Sequence, residues 1–143
     1  MILADEDATV ALGRRIGERL LPGDVITLVG DLGAGKSCLA RGIARGLGIG
    51  GRIPSPTFVI VAEYLQGRLP LHHVDLYRLS DPEELIQLGL DELIGGEGVV
   101  VVEWPDRAAS WFTEAVTVHL QEHGDQREAR LEGPTEVVER LLG

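Results

Sequence analysis

The chain has one cysteine, one lysine and no asparagine, and no long apolar run. Each shortage excludes something. The lone cysteine, Cys38, cannot close an intramolecular disulfide or build a cysteine zinc cluster, which suits a reducing compartment. No stretch approaches the roughly 18 apolar residues of a membrane helix. The start, MILADEDAT, has neither the basic region nor the apolar core of a secretory signal, so the expected location is cytoplasmic, with no membrane association. Without asparagine the N-K-x-D motif that reads guanine cannot be written, which disfavours a GTPase. Cations are few: 13 against 23 acidic residues, a net charge of −10. A chain this acidic is a poor stand-alone binder of nucleic acid, because phosphate contacts depend on clustered Lys and Arg. Any RNA is therefore expected to be held by another subunit. Of the 13 cationic residues all but Lys36 are arginine. The sole lysine marks a place where a compact, flexible ammonium fits and a planar guanidinium does not.

At 143 residues the chain is expected to form one domain, residues 1–143, with a single substantial core. Leu12, Ile16 and Leu20 repeat at helical spacing behind the acidic start Asp5-Glu6-Asp7, and Pro22-Gly23-Asp24 ends that pattern. Val25 to Val29 is short and β-rich, a buried strand. A second helical pattern runs from about Ser37 to Leu47 with Gly48 as its cap. Phe58 to Tyr64 and Leu69 to Leu76, joined through Gln66-Gly67-Arg68, read as two antiparallel strands. Ser80-Asp81-Pro82-Glu83-Glu84 opens a helix through Leu88. Val99 to Val102 is a fully apolar strand, and the alternation around Gly124-Asp125 predicts a hairpin from Val116 to Leu131. Thr135 to Leu142 closes as a short helix. Helices interleave with strands, so the expected class is α/β with a mixed sheet.

The stretch Gly30-Asp31-Leu32-Gly33-Ala34-Gly35-Lys36-Ser37 matches the phosphate-binding loop G-x-x-x-x-G-K-S/T, between a buried strand and a helix start as that mechanism requires. Its glycines let backbone N–H groups turn toward phosphate oxygens, and the helix N-terminus adds positive potential. In such a loop Lys36 is expected to reach the terminal phosphates, and the Ser37 hydroxyl can ligate magnesium. Glu103, at the end of an all-valine strand, is the expected acid near the metal. In His72-His73-Val74-Asp75, strand alternation puts His73 and Asp75 on one face and His72 on the other, so Asp75 is a candidate to position water or the metal's hydration shell. The pattern H-x-x-E-H at His119 to His123 resembles a zinc-protease signature, but it lies in an expected strand and turn, where i, i+4 ligands do not converge.

The segments GDLGAGKS, SPTF at Ser55 to Phe58, HHVDLYRLSDPEEL at His72 to Leu85, LGLDEL at Leu88 to Leu93 and VEWPDR at Val102 to Arg107 together closely resemble the TsaE (YjeE) family, in the family's order and over nearly the whole chain. The resemblance implies a phosphate-loop NTPase-like three-layer fold. It also implies a magnesium-dependent ATPase, weak alone, that uses ATP and Mg2+ and works with TsaB and TsaD to install threonylcarbamoyl on the tRNA adenosine next to the anticodon. It places the metal pair on Ser37 and Glu103, a required aspartate on Asp75 and a functional tryptophan on Trp104. The nucleotide would lie on Asp31, Leu32, Gly33, Ala34, Gly35, Lys36, Ser37 and Cys38, with Thr57 in a loop responsive to the γ-phosphate. Glu6 and Arg127 align with family positions near base and ribose. Cys38 stands where threonine is common, and Asp106 where a glutamate or glutamine often follows the WP pair.

Two other readings use the same loop. In a small-molecule kinase Asp75 would deprotonate an acceptor hydroxyl, but no arginine-dense lid segment is present. In a nucleotide-gated interaction protein turnover would be incidental.

Overall fold

The computed structural model describes residues 1–31, 33–51 and 61–143. The expected site residues Leu32 and Thr57, and the first part of the strand expected from Phe58, lie outside them.

Helix α1 (Glu6–Arg19) starts where Asp5 caps it: Asp5 Oδ1 accepts the Ala8 N–H at 2.8 Å, and Glu6 and Asp7 complement the positive end of the helix. Its apolar stripe, Leu12 and Ile16, is buried. Strand β2 (Val25–Val29) follows, then helix α2 (Lys36–Gly46), whose N-cap Gly35 has φ 102°, a left-handed conformation that glycine adopts without steric cost. The two helices touch backbone to backbone. Gly13 and Gly17 of α1 meet Gly42 and Gly46 of α2 so closely that a Cβ at any of the four would overlap a carbonyl oxygen of the other helix.

Strands β3 (Val61–Tyr64) and β4 (Leu71–Asp75) pair antiparallel as expected. The helix expected from Ser80 begins at Glu83 and runs to Gln87 (α3), with Asp81 Oδ1 accepting the Glu83 N–H at 3.0 Å. A further short helix, α4 (Leu90–Leu93), precedes β5 (Val99–Glu103). Pro105–Phe112 forms a 3-10 segment broken at Ala108, and β6 (Val116–His123), β7 (Gln126–Glu132) and α5 (Thr135–Leu142) complete the chain. A two-residue strand, β1 (Ile2–Leu3), borders β7.

Among the described residues the seven strands form one sheet in the order β1-β7-β6-β2-β5-β4-β3. Strands β6, β2, β5 and β4 run parallel; β3 pairs antiparallel with β4, β7 with β6, and β1 with β7. One face packs Ile26, Leu28, Val99 and Val101 against α1, α2 and α5. The other packs Val74, Val100 and Val102 against α3, α4 and the 3-10 segment. The mixed sheet between two helical layers is the expected α/β class. The four valines of β5 are each at most 1% exposed, and full burial of each contributes on the order of 1.5–3 kcal/mol. Among the described residues no helix is long and apolar enough to cross a membrane.

Candidate functional site

Because β2, β4 and β5 run parallel, their C-terminal ends meet at one edge of the sheet, where ligands of open α/β sheets bind. Asp75 ends β4, Glu103 ends β5, and the register sets them opposite each other, with Leu28 of β2 opposite Glu103 on its other side. Alternation along β5 puts Glu103 on the same face as Val99 and Val101, the face that carries α2 and hence Lys36.

A cleft of about 480 Å³ opens there. It brings together Gly33, Gly35, Lys36, Ser37 and Cys38 of the loop and α2 with Asp75, Glu103 and Trp104. Glu6 and Arg127 also line it. Two residues of the expected loop set stand apart. Ala34 is buried, its N–H bonded to the Asp31 carbonyl at 3.0 Å, and Asp31 borders a separate depression beside His119 and Arg130. Three wall residues, Asp5, Thr9 and Asp125, were not read from the sequence. The signal for Asp5 is its helix-capping position, which puts it at the same end of α1 as Glu6.

Lys36 is 6% exposed, and its Nζ makes no hydrogen bond among the described residues. Instead Nζ lies 3.7 Å from the centroid of the Trp104 ring. Burial pushes the Lys36 ammonium below its ordinary pKa, opposed by Glu103 and Asp75. Asp75 is pushed up, first by burial and further by Glu103, against the Tyr77 N–H that Oδ1 accepts at 3.0 Å. Glu103, 4% exposed, is bonded through Oε2 to His73 Nε2 at 2.7 Å. That partner was not foreseen from the sequence, because it depends on which strands pair and in what register.

Trp104 has φ 59°, the one positive φ among the described non-glycine residues. Such a left-handed residue costs about 1–2 kcal/mol. The bend turns the chain sharply out of β5 into Pro105 and sets the indole between Lys36 and Tyr77, whose ring centroid is 4.9 Å away. The tryptophan also packs on the core behind β5, so packing and lysine contact coexist. Cys38 donates to Glu6 Oε1 at 3.6 Å, and burial with the nearby Glu6 pushes its thiol up. Arg127 pairs with Glu122 at 3.5 Å, its side chain alongside Gly35. The segment His119 to His123 is the end of β6: His119 faces Glu132 at 3.7 Å and His123 faces Glu128 at 2.8 Å.

Comparisons with known proteins identify the family. The family described as "Threonylcarbamoyl adenosine biosynthesis protein TsaE" matches residues 3–130. A Nostoc protein named tRNA threonylcarbamoyladenosine biosynthesis protein TsaE is 47% identical over 111 residues, covering 75% of this chain and 68% of its own. The protein of the same name from Bacillus subtilis is 50% identical over 98 residues, 68% of this chain and 61% of its own. The one from Treponema pallidum is 45% identical over 114 residues, 79% and 84%. The crystal structure of Bacillus subtilis YdiB matches 99% of this chain and 92% of its own with a TM-score of 0.85 and 36% identity. A family match over most of the length, joined to these relatives, means that the chain belongs to the TsaE family of tRNA threonylcarbamoyladenosine biosynthesis.

Proposed function

We propose that this protein is a magnesium-dependent ATPase that supports threonylcarbamoylation of tRNA in concert with TsaB and TsaD. The observation that carries the reading is the buried Lys36 ammonium. It makes no hydrogen bond among the described residues, and it borders the cleft between a glycine-capped helix start and two carboxylates. A buried ammonium without acceptors is costly, and phosphate oxygens supply the missing acceptors.

The residues fit a magnesium nucleotide. Ser37 and Glu103 supply one hydroxyl and one carboxylate, and Asp75 stands opposite Glu103 in register. Magnesium typically takes one or two carboxylates, its remaining positions going to water and substrate phosphates. When bound, the ion neutralises charge developing on the transferred phosphoryl group. Lys36 holds the terminal phosphates, the N–H groups at the start of α2 line the phosphate chain, and Asp75 orients the attacking water or a water of the metal shell. Glu6 and Arg127 border the end of the cleft assigned to the ribose and base.

With a net charge of −10 the chain is a poor direct holder of tRNA, so its contact with tRNA runs through the complex. ATP and ADP can drive such a partner only by differential affinity. The test is the affinity of this chain for a TsaB–TsaD complex with an ATP analogue, with ADP and without nucleotide, alongside phosphate release with and without the complex. State-dependent affinity and stimulated release are expected. Equal affinity in all three states without stimulation overturns the coupling, and transfer of phosphate to a metabolite would place the chain among kinases.

A further inference from the structure

We propose that His73 is the positioning residue of Glu103, fixing the carboxylate in the orientation in which it serves a divalent cation; the inference rests on the assignment of Glu103 as the magnesium carboxylate. His73 does not border the cleft, so any part it plays in chemistry passes through another residue. It sits in the middle of β4, 2% exposed, on the face shared with Leu71, Val99 and Val101. An aliphatic side chain would fill that position as its neighbours do, and a buried imidazole costs free energy unless it is hydrogen-bonded. Packing alone therefore does not account for a histidine.

The pairing of the strands does. His73 lies opposite Val101, so Glu103 is two positions further along the same face of the parallel neighbour, within diagonal reach. The Glu103 side chain turns back along its strand to place Oε2 at 2.7 Å from His73 Nε2. A carboxylate that serves a cation is ionised and only accepts, so Nε2 carries the hydrogen. The Glu103 side chain has three rotatable bonds, and the contact to His73 selects one setting of them. With Oε2 held, Oε1 is the oxygen left for the ion or one of its waters. Outer partners that orient a metal's carboxylate in this way are typically worth 10- to 100-fold in metal affinity. His72 is the internal contrast: on the opposite face, it meets the exposed Glu63 at 3.4 Å, away from the cleft.

The experiment uses the full chain, ADP and Mn2+ as the probe, with free Mn2+ read by electron paramagnetic resonance. His73→Met removes the donor at nearly constant volume, His73→Gln keeps an N–H donor at similar reach, and Glu103→Gln removes the carboxylate. His73→Met is expected to lose about 10- to 100-fold in Mn2+ affinity and His73→Gln to recover most of it. In turnover, His73→Met should need more magnesium yet approach the parent kcat at saturation. Parent-like Mn2+ affinity in His73→Met, beside a loss in Glu103→Gln, overturns the positioning role alone. Parent-like affinity in both overturns the assignment of Glu103 and this inference with it. Should His73→Met fail to fold, the unmodified protein decides: the His73 Nε2 nitrogen resonance must shift when Mg2+ and ADP are added, and an unmoved resonance overturns the proposal.

Discussion

Lys36 and Trp104 are partners across the mouth of the cleft: the lysine ammonium rests over the indole face at 3.7 Å, where no hydrogen-bond acceptor reaches it among the described residues. A cation over a ring is worth about 0.5–2 kcal/mol. Charge-assisted hydrogen bonds are worth about 1.5–3 kcal/mol each. A phosphate within reach therefore outcompetes the ring, and the indole is left to report the change.

Trp104 emission should consequently respond to nucleotide. In a Trp111→Phe background, where Trp104 is the remaining tryptophan, ATP is expected to give a saturable change in fluorescence. The added substitution Lys36→Ala should remove most of that change. A titration in which Trp104 stays silent while calorimetry shows binding would refute the handover.

Lys36→Ala itself should weaken ATP binding by roughly 10- to 150-fold, the equivalent of about 1.5–3 kcal/mol. Calorimetry measures it directly. Unchanged affinity would remove Lys36 from the phosphate site.

Glu103→Gln should leave ATP binding largely intact and impair phosphate release, because a neutral amide holds a divalent ion poorly. The magnesium concentration for half-maximal release is expected to rise by at least about tenfold, a loss of about 1.4 kcal/mol or more in ion binding. Parent-like release at low magnesium is the contrary result.

Asp75 is expected to make the stability of the fold depend on pH. Burial raises its pKa above 3.8, so its proton is held more tightly folded than unfolded. That contribution to stability is fully present below about pH 3.8 and is lost as pH rises through the raised value. Asp75→Asn, which keeps an acceptor for the Tyr77 N–H, should therefore melt higher than the parent at neutral pH. The advantage should vanish at strongly acidic pH, and hydrolysis should fall. Melting curves across pH test the sign.

Gly42→Ala should destabilise the protein. On the solvent face of a helix the same change typically stabilises by roughly 0.5–1 kcal/mol. Here the new Cβ would strike the Val10 carbonyl oxygen, so the sign reverses and about 1–3 kcal/mol is lost to overpacking. A lower urea midpoint at unchanged slope is the expected record.

Much of this architecture is legible in the sequence because it rests on local rules. The stripe Leu12, Ile16, Leu20, the all-valine run of β5 and the turn at Gly124-Asp125 each name their element through periodicity or turn chemistry. The glycine-capped start of α2 is legible because the run Gly35-Lys36-Ser37 puts a glycine where the backbone turns left-handed. What escapes is what depends on partners distant in the chain. β1 is two residues long and exists only by pairing Ile2 with Glu128 and Leu3 with Arg127. The broken 3-10 segment has no period to find. The bond from His73 to Glu103 requires the β4 and β5 register, and Asp125 enters the cleft only because the hairpin folds over it. Glu6 and Arg127 were assigned to the site by resemblance, since no local pattern joins the first helix to the last hairpin. The helix contact did leave a trace, Gly-x-x-x-Gly at Gly13 and Gly17 and again at Gly42 and Gly46, which periodic reading of apolar residues passes over.

That glycine contact has a mechanical consequence. Where Gly13 and Gly17 meet Gly42 and Gly46 no side chain separates the backbones, so sliding or rolling of α1 on α2 would drive carbonyl and Cα atoms together. Asp5, Glu6 and Thr9 at the head of one helix and Gly35, Lys36 and Ser37 at the head of the other therefore belong to one stiff block. The cleft is a vice whose near jaw is bolted down. Under the proposed function, and among the described residues, closing on a nucleotide would fall to the opposite jaw of Asp75, Trp104 and the β6–β7 turn.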